Sequence, residues 1–528
     1  MIDTTVKVEK KLKKTKRIVI VSDTHITPTG TAFNEKIFNK GIERINAIKD
    51  VSLYLHLGDI TQSGTLMDYE YAFEQSKKFK PSSNVPIEYL IGNHDALNVG
   101  YLLFEEIYGR RHFEYEDSEL YVIGIDSTKP DLPGGIIHNT TIEAVKKRLA
   151  APERDDKLKI VCFHHQLIPI PKTGKERSAI DDSGNVLEML LEEKTDLVLN
   201  GHRHVSNLYT LSSSEKDMFI FNAGTFCCNK TRYRELYTYS VIDINNSNLN
   251  FKIVPVLEPE FKNEIHRTIY KYKQRSINKK EKPYCKFIQL SHSLISHNEK
   301  DKRVNLDIAI DIINKMKDVD LVIHSGNLTE NSFEKEFKIA SEKLKYLEHP
   351  YIVVPGYSDS KPPAWYLWDK YFGAHDPIFE NEKIYFQGFD STTPDSTIGF
   401  IGRKKLSRYL DHVLNLSHQK IFGATCFHNL IPTPMSVWRT ELMDSGEALS
   451  QFSRSQISLV LNSTPSVSFN VKIENTIFSN GGSLDGSRFD PSLLEIDIYN
   501  DGLVVLSEIA LHSRKKQTIW KYNIEILK

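Results

Sequence analysis

The sequence predicts an α/β fold of two tandem sandwiches with mixed sheets and flanking helices, the second a degenerate copy of the first. Three observations support this prediction. The chain has 528 residues, strand-like runs alternate with helix-like runs, and the second half repeats segments of the first half in order. A chain of this length is too long for one ordinary core, so at least two domains are expected.

Six runs rich in β-branched and aliphatic residues are typical of buried strands. They are RIVIVSD (17–23), LYLHLGD (53–59), PIEYLIGN (86–93), LKIVCFHH (158–165), TDLVLNGH (195–202) and DMFIFNAG (217–224). Between the first two runs, apolar residues recur at helical spacing: Ile37, Phe38, Ile42, Ile45 and Ile48. Strands that alternate with helices in this way predict a sheet covered by helical layers.

The repeat extends over most of the chain. LYVIGIDSTKPD at 120–131 returns as IYFQGFDSTTPD at 384–395, and HQLIPIP at 165–171 returns as HNLIPTP at 428–434. A nearly constant offset between matching segments indicates an internal duplication. The sequence therefore predicts a basic N-terminal extension (1–16), a complete first domain (17–258), a basic linker (259–284) and a degenerate second domain (285–528).

Composition and charge are those of a globular protein. Lys+Arg 68 and Asp+Glu 69 balance, which does not indicate a nucleic-acid partner and does not exclude one. No window approaches the ~18 to 20 apolar residues that span a bilayer, and the N-terminus lacks a signal-peptide pattern. We expect a cytoplasmic protein without membrane insertion, with its five cysteines reduced. No sequence feature specifies an oligomeric state.

Five of the strands end in polar residues that a hydrophobic core would not tolerate unpaired. In chain order these are Asp23-Thr24-His25, Gly58-Asp59, Gly92-Asn93-His94-Asp95, His164-His165 and Gly201-His202-Arg203-His204. Ligands of α/β proteins bind at the carboxyl ends of strands, so we expect these side chains to converge. Carboxylate, amide and imidazole donors together suit two divalent cations, and a carboxylate is needed to bridge cations ~3.5 to 4 Å apart. Each motif alone is a weak signal, but five in one order are a strong one.

Two further expectations concern the residues around these motifs. Gly58, Gly92 and Gly201 should allow the backbone to approach the cluster closely. Arg177 and Arg203 could meet a substrate, but a surface charge is the better interpretation of each.

The five motifs resemble the pattern of the calcineurin-like metallophosphoesterases, which include purple acid phosphatases and class III cyclic-nucleotide phosphodiesterases. That pattern is D-x-H, G-D, G-N-H-[DE], H and G-H-x-H, in the order found here. GDITQSGTLMDYEYA at 58–72 looks more like the cyclic-nucleotide branch than the protein phosphatases. The resemblance covers about residues 15–255 and implies two divalent or mixed-valence metal ions, with Mn, Fe, Zn or Co all suited to the donors.

The resemblance implies a ligand set in three groups: Asp23, His25 and His204 on one ion, Asn93, His164 and His202 on the other, and Asp59 bridging both. The family has one ligand from the His-His strand, and His164 sits where the family's histidine would sit. His165 is the alternative, because the repeat aligns HQLIP with HNLIP and so places His428 opposite His165.

The resemblance also implies that His94 does not bind metal. It would donate a proton or a hydrogen bond to the phosphoryl group or the leaving oxygen, and Asp95 would orient its ring. The alternative is that His94 only supports a neighbouring ligand.

The second half has lost most of these residue types. The repeat places His292 at Asp23 and Leu294 at His25, with the remaining replacements Asn327 at Asp59, Tyr357 at Asn93, Ser358 at His94, Thr464 at His202 and Ser466 at His204. Only His428 remains as a clear ligand type. Because the buried strands remain, we expect an intact fold without metal chemistry, serving as a scaffold, a dimer surface, a substrate-shaping partner or nothing at all.

Together these features predict metal-dependent hydrolysis of a phosphate-ester substrate at a binuclear site in the first domain. A phosphodiester, either a cyclic nucleotide or another small diester, is the expected substrate. Two alternatives stay open: a nuclease or phosphomonoesterase with the same site, and a non-catalytic metal-binding scaffold.

Overall fold

The computed structural model describes residues 15–81, 84–174, 180–272, 276–277, 281–299, 301–362, 366–416, 420–435, 442–463, 468–487 and 490–524. The chain divides into two compact units. The first unit contains Met1–Leu211 and Glu215–Lys273, and the second unit contains Ser212–Ser214 and Gln274–Lys528.

The first unit is built from twelve strands and five α-helices within its described residues. The strands are β1 Lys16–Val21, β2 Leu53–His56, β3 Ile87–Tyr89, β4 Phe113–Glu116, β5 Leu120–Gly124, β6 Leu158–Cys162, β7 Leu197–Asn200, β8 Asn207–Ser212, β9 Asp217–Asn222, β10 Thr238–Asn245, β11 Asn248–Pro255 and β12 Asn263–Thr268. The helices are α1 Glu35–Asn46, α2 Leu66–Ser76, α3 Gly100–Tyr108, α4 Asn139–Leu149 and α5 Ser183–Glu192.

These strands form two sheets that pack face to face. One sheet has the order β12-β11-β10-β1-β2-β3 and the other the order β8-β9-β7-β6-β5-β4. Strands β1, β2 and β3 are mutually parallel, and so are β5, β6, β7 and β9. Apolar side chains from both sheets, including Ile18 and Leu55 from one and Val122 and Ile160 from the other, share one buried core.

Helix α1 shows how the predicted spacing produces a helix. The Asn34 side chain caps its first turn by accepting a hydrogen bond from the Ile37 amide. Ile37, Phe38, Ile42 and Ile45 then face inward and are buried, as their spacing predicts.

The second unit repeats this architecture element by element. Its described strands are β13 Cys285–Leu290, β14 Leu321–His324, β15 Tyr351–Val353, β16 Ile378–Glu380, β17 Ile384–Phe389, β18 Ile421–Cys426, β19 Leu459–Asn462, β20 Phe469–Ile473, β21 Thr476–Asn480, β22 Ser492–Ile498, β23 Leu503–Ala510 and β24 Lys516–Asn523. Its described helices are α6 Asp301–Asn314, α7 Glu334–Leu344, α8 Leu367–Phe372, α9 Arg403–Asn415 and α10 Ser445–Ser453. The strand orders, β15-β14-β13-β22-β23-β24 and β16-β17-β18-β19-β21-β20, reproduce those of the first unit.

The segment expected to be a linker is partly structured. Residues 263–268 form β12, which pairs antiparallel with β11, and the Ile269 side chain is fully buried in the core of the first unit. The first unit therefore continues to Lys273, beyond the boundary expected at 258. Residues 1–14 of the expected N-terminal extension lie outside the described residues, and Lys16 already belongs to β1.

Two expectations from composition can be compared with the structure. All five cysteines are buried and free, as expected for reduced thiols. Within the described ranges, no helix has the length and apolar character needed to cross a membrane.

Candidate metal centre

The five polar motifs converge at the carboxyl ends of β1, β2, β3, β6 and β7. The predicted ligands are buried, except for His202, which is half-buried like the neighbouring His94. Five of the predicted ligands have a left-handed backbone, with φ between 48° and 69°: Asp23, His25, Asp59, His202 and His204. Non-glycine residues adopt this conformation rarely and mostly at functional sites, although Asp and His tolerate it better than most.

One group of donors surrounds His25 and His204. The two Nε2 atoms lie 3.2 Å apart, and His204 Nε2 lies 3.3 Å from Asp23 Oδ1. His25 Nδ1 is 3.1 Å from Gln62 Oε1, and His204 Nδ1 is 2.7 Å from the carbonyl oxygen of Lys230. Because these oxygens can only accept, each Nδ1 carries the proton and each Nε2 of a neutral ring presents a lone pair. Two lone pairs and a carboxylate oxygen then face one another, which is an arrangement that fits a cation.

A second group of donors surrounds His164 and His202. His164 Nδ1 donates to the carbonyl oxygen of Leu57 at 2.7 Å, and His164 Nε2 is buried without a hydrogen bond of good geometry. His202 Nδ1 lies 2.9 Å from Asn93 Oδ1. The neighbour of His164 Nε2 is Asp59 Oδ2 at 3.3 Å, and a divalent cation would bind both atoms.

Asp59 lies between the two groups. Its Oδ2 is 3.5 Å from His25 Nε2 and 3.3 Å from His164 Nε2, and its Oδ1 accepts a hydrogen bond from the His94 amide at 2.8 Å. The donor atoms of His25, Asp59 and His94 are close enough to hold one ion, and so are those of Asp59, His164 and His202. Asp59 thus belongs to both groups.

Burial and neighbouring charges set the protonation of these side chains. Burial lowers the pKa of His25 to about 3 despite the nearby Asp59, and it lowers the pKa of His202 well below the ordinary value. Burial would raise the pKa of Asp59, but His164 and His94 hold that pKa well below the usual range. For His164, burial lowers the pKa, but Asp59 outweighs it and raises the pKa to about 9. Without a cation, a proton on His164 therefore balances the Asp59 charge.

Three positions next to the cluster, Gly58, Gly92 and Gly201, require glycine, as expected, because a side chain would not fit there. A Cβ on Gly92 would lie 2.2 Å from the Asp59 amide nitrogen, and one on Gly58 would lie 2.6 Å from His164 Nδ1. A Cβ on Gly201 would lie 2.2 Å from Ser22 Oγ.

The expectation that Asp95 orients the His94 ring is wrong. Asp95 accepts hydrogen bonds from the amides of Ile60, Thr61 and Gly92 and from the Thr61 hydroxyl, at 2.7 to 3.0 Å. His94 Nδ1 instead lies 2.6 Å from the carbonyl oxygen of Gln62. Asp95 therefore fixes the loop that carries Asp59, and Gln62 orients the rings of both His94 and His25.

The second unit supports this structural role. Asp359 accepts the equivalent four hydrogen bonds, from the amides of Leu328, Thr329 and Gly356 and from the Thr329 hydroxyl. Burial raises the pKa of Asp95 and of Asp359 to about 6 in each case. The network thus persists where the residues expected to bind metal are replaced.

The replaced positions of the second unit keep the backbone of the first. The backbone is left-handed at His292, Leu294 and Asn327, with φ of 51°, 44° and 55°. Their counterparts in the first unit, Asp23, His25 and Asp59, are left-handed as well. A Cβ on Gly326 would meet the Phe427 ring at 2.7 Å, as a Cβ on Gly58 would meet the His164 ring, so Phe427 takes the place of His164.

His428 corresponds to His165 rather than to His164. His165 Nδ1 lies 2.9 Å from Ser127 Oγ, and His428 Nδ1 lies 2.8 Å from Ser391 Oγ. Thr464 and Ser466 lie outside the described residues. Among the residues described for the second unit, no group of histidine, cysteine and acidic side chains is placed to hold a metal ion.

Sequence reasoning missed several residues of the site. Gln62 orients two rings, and the Cys228 thiol lies with His25 and His204 in a third group that could hold an ion. Arg203, expected to be a surface charge, is only 4% exposed and lines a cleft of about 420 Å³ at the cluster. Thr173, Lys230 and Arg232 line the same cleft. Only the tertiary fold brings Thr173, Lys230 and Arg232 to the site. Arg177, the other arginine considered for substrate contact, lies outside the described residues.

Comparison with known proteins agrees with this geometry. Residues 16–206 match the family model of the calcineurin-like phosphoesterases. The first unit belongs to this family. The expectation of a metal-dependent phosphate-ester hydrolase is thereby confirmed, and the family uses divalent metals of the kind that the donors fit.

Two curated relatives and one solved structure show the range of similarity. A probable cyclic nucleotide phosphodiesterase of Xenorhabdus bovienii is 21% identical over 248 residues, covering 43% of this chain and 96% of that protein. A probable glycerophosphodiester phosphodiesterase of Arcobacter nitrofigilis is 28% identical over 131 residues, covering 24% of this chain and 48% of that protein. A dimetal phosphatase from Danio rerio is 10% identical with a TM-score of 0.37, covering 48% of this chain and 98% of that one.

The two adjacent histidines of this calcineurin-like domain should behave differently when each is replaced by alanine. His164→Ala should lower the metal bound per chain, because its Nε2 faces Asp59, whereas His165→Ala should not. His428→Ala is the matched control, because His428 makes the same contact to serine in the second unit. Metal content by mass spectrometry after gel filtration measures the effect. Loss of metal from His165→Ala but not from His164→Ala would reverse the assignment.

Proposed function

We propose that the first unit uses two divalent cations to hydrolyse phosphodiesters. Asp23, His25 and His204 would hold one, Asn93, His164 and His202 the other, and Asp59 would bridge them. The observation that carries this proposal is the position of Asp59 Oδ2, 3.5 Å from His25 Nε2 and 3.3 Å from His164 Nε2. A shared carboxylate between two donor groups is the arrangement that offsets repulsion between neighbouring cations.

The bound cations would supply Lewis-acid polarisation of the phosphoryl oxygens and a more acidic water molecule. The chain's own part is to orient the donors. The carbonyl oxygens of Leu57 and Lys230 fix the ring directions of His164 and His204. Such outer partners commonly decide metal affinity as strongly as the ligands themselves.

The contacts of His94 support a role in proton transfer. Its Nδ1 donates to the Gln62 carbonyl, so Nε2 is the atom that can gain or lose a proton. His94 also lines the cleft, where a leaving oxygen could reach it. Its ring lies 4.5 Å from that of His25, so the same position would also allow metal binding. Measurements on a variant separate the two roles.

One observation favours a diester over a monoester. The curated relatives described above are both named as probable phosphodiesterases. The cleft at the cluster is large enough for a small organic ligand. The alternative functions are those of a nuclease, a phosphomonoesterase or a metal-binding scaffold. The second unit, with Leu294, Asn327 and Phe427 at the cluster positions, would neither bind metal nor catalyse.

The direct test is a substrate panel with added manganese, run on the wild-type protein and on Asp59→Asn. We expect the wild type to hydrolyse bis(p-nitrophenyl) phosphate and small natural diesters faster than p-nitrophenyl phosphate. Asp59→Asn should be inactive, because a neutral amide cannot offset two cations. Activity of Asp59→Asn above about a tenth of wild type contradicts the binuclear site. Faster hydrolysis of the monoester contradicts the diester preference.

Replacing His94 by alanine should slow turnover by about 10² to 10⁴, the usual contribution of general acid–base catalysis. The loss should shrink for esters with good leaving groups, because these leave without a proton. Both metal ions should stay bound. Equal losses across a leaving-group series would assign His94 to phosphate binding, and loss of metal would make it a ligand.

A further inference from the structure

The cleft at the metal centre has a cationic wall. Besides residues of the cluster, it is lined by Arg203, Lys230 and Arg232. Asp59, which belongs to the cluster, is the one acidic residue among the described lining residues. A ligand in this cleft would therefore contact these cationic side chains in addition to the metal ions. One scissile phosphate does not need that much positive charge.

Two of these cations are held at the same residue. Arg203 Nη2 donates to Thr173 Oγ1 at 2.6 Å, and Arg232 Nη1 donates to the Thr173 carbonyl oxygen at 3.0 Å. Lys230 is tied to the cluster through its main chain, because its carbonyl oxygen accepts from His204 Nδ1 at 2.7 Å. The wall is therefore built into the site rather than carried on a remote loop.

Lys230 and Arg232 have no acidic partner among the residues that the structure describes. Many other cations of the first unit do, such as Arg17 with Asp243 at 2.6 Å and Lys216 with Asp196 at 2.5 Å. Lys230 is exposed and Arg232 is half-buried. Like charges gathered at one wall of a cleft repel each other unless an anion lies between them. The missing anion is therefore expected to come with a ligand.

The segment that carries these cations is longer in the first unit. In both units it lies between equivalent backbone hydrogen bonds, from Thr238 to Thr225 in the first and from Ser492 to Ser483 in the second. It covers residues 226–237 in the first unit and residues 484–491 in the second, which is four residues shorter. The extra length, with Lys230 and Arg232, thus occurs in the unit that has the donor cluster.

We propose that Lys230 and Arg232 bind a second anionic group of the substrate. The preferred substrate would then be a phosphodiester that carries another phosphate besides the scissile one. Arginine and lysine both suit phosphate, and Arg232 can offer guanidinium donors beyond the one that Thr173 uses. This inference rests on the proposed function, and it specifies the substrate class of the same site.

The test compares two esters with the same leaving group: thymidine 5′-(p-nitrophenyl phosphate) with and without a 3′-phosphate. The wild type should prefer the phosphorylated ester about ten-fold or more, through a lower KM. Lys230→Gln and Arg232→Gln should each reduce that preference about ten-fold, the usual size of a charged hydrogen bond. Arg44→Gln is the matched control, because Arg44 also donates to a main-chain carbonyl, that of Leu257 at 2.9 Å, and lies on α1 away from the cleft. It should keep the preference.

Two kinetic results would overturn the inference. One is a wild type without preference. The other is an equal loss for both esters in the Lys230 and Arg232 variants, which would assign these cations to the scissile phosphate itself. If neither ester is hydrolysed, the proposed function fails, and calorimetric titration of the metal-loaded protein with inorganic pyrophosphate still tests the cationic wall. Weaker pyrophosphate binding by Arg232→Gln than by Arg44→Gln supports it, and equal binding overturns it.

Discussion

The donor side chains of the site are grouped around one carboxylate, that of Asp59. Its Oδ2 faces His25 and His164, its Oδ1 binds the His94 amide, and its own backbone is left-handed with φ of 54°. Gly92 must lack a side chain for Asp59 to fit. The Asp95 carboxylate accepts hydrogen bonds from the two residues that follow Asp59. The loops of the site are thus arranged to hold a buried negative charge that requires positive partners.

The second unit separates the architecture of the site from its chemistry. Asn327 accepts a hydrogen bond from the Ser358 amide at 3.0 Å, as Asp59 does from the His94 amide, and Gly356 again leaves no room for a side chain. Asp359 keeps the hydrogen-bond network of Asp95. The backbone of the loops therefore depends on the hydrogen bonds of Asn327 and Asp359 and on glycine, rather than on the residues expected to bind metal. Replacing the donors removes the chemistry while the fold persists.

Local patterns in the sequence predict the parts of the structure that depend on local order. The spacing of Ile37, Phe38, Ile42 and Ile45 predicts α1, and motifs at strand ends predict which side chains meet, because parallel strands bring their carboxyl ends together. The direction in which a side chain points, and its partners from distant parts of the sequence, are not predictable in this way. Asp95 turns toward the backbone, and Thr173, Lys230 and Arg232 reach the site only through tertiary folding. The charged edge strand β12 resembles a linker in composition, as edge strands often do.

Anomalous diffraction from manganese-soaked crystals would locate the metal ions directly. We predict two manganese peaks in the first unit, separated by roughly 3.5 to 4 Å, with Asp59 between them. We predict no peak at His292 and Asn327 in the second unit. A single peak in the first unit, or a peak at the equivalent position of the second unit, would contradict a binuclear site that is confined to the first unit.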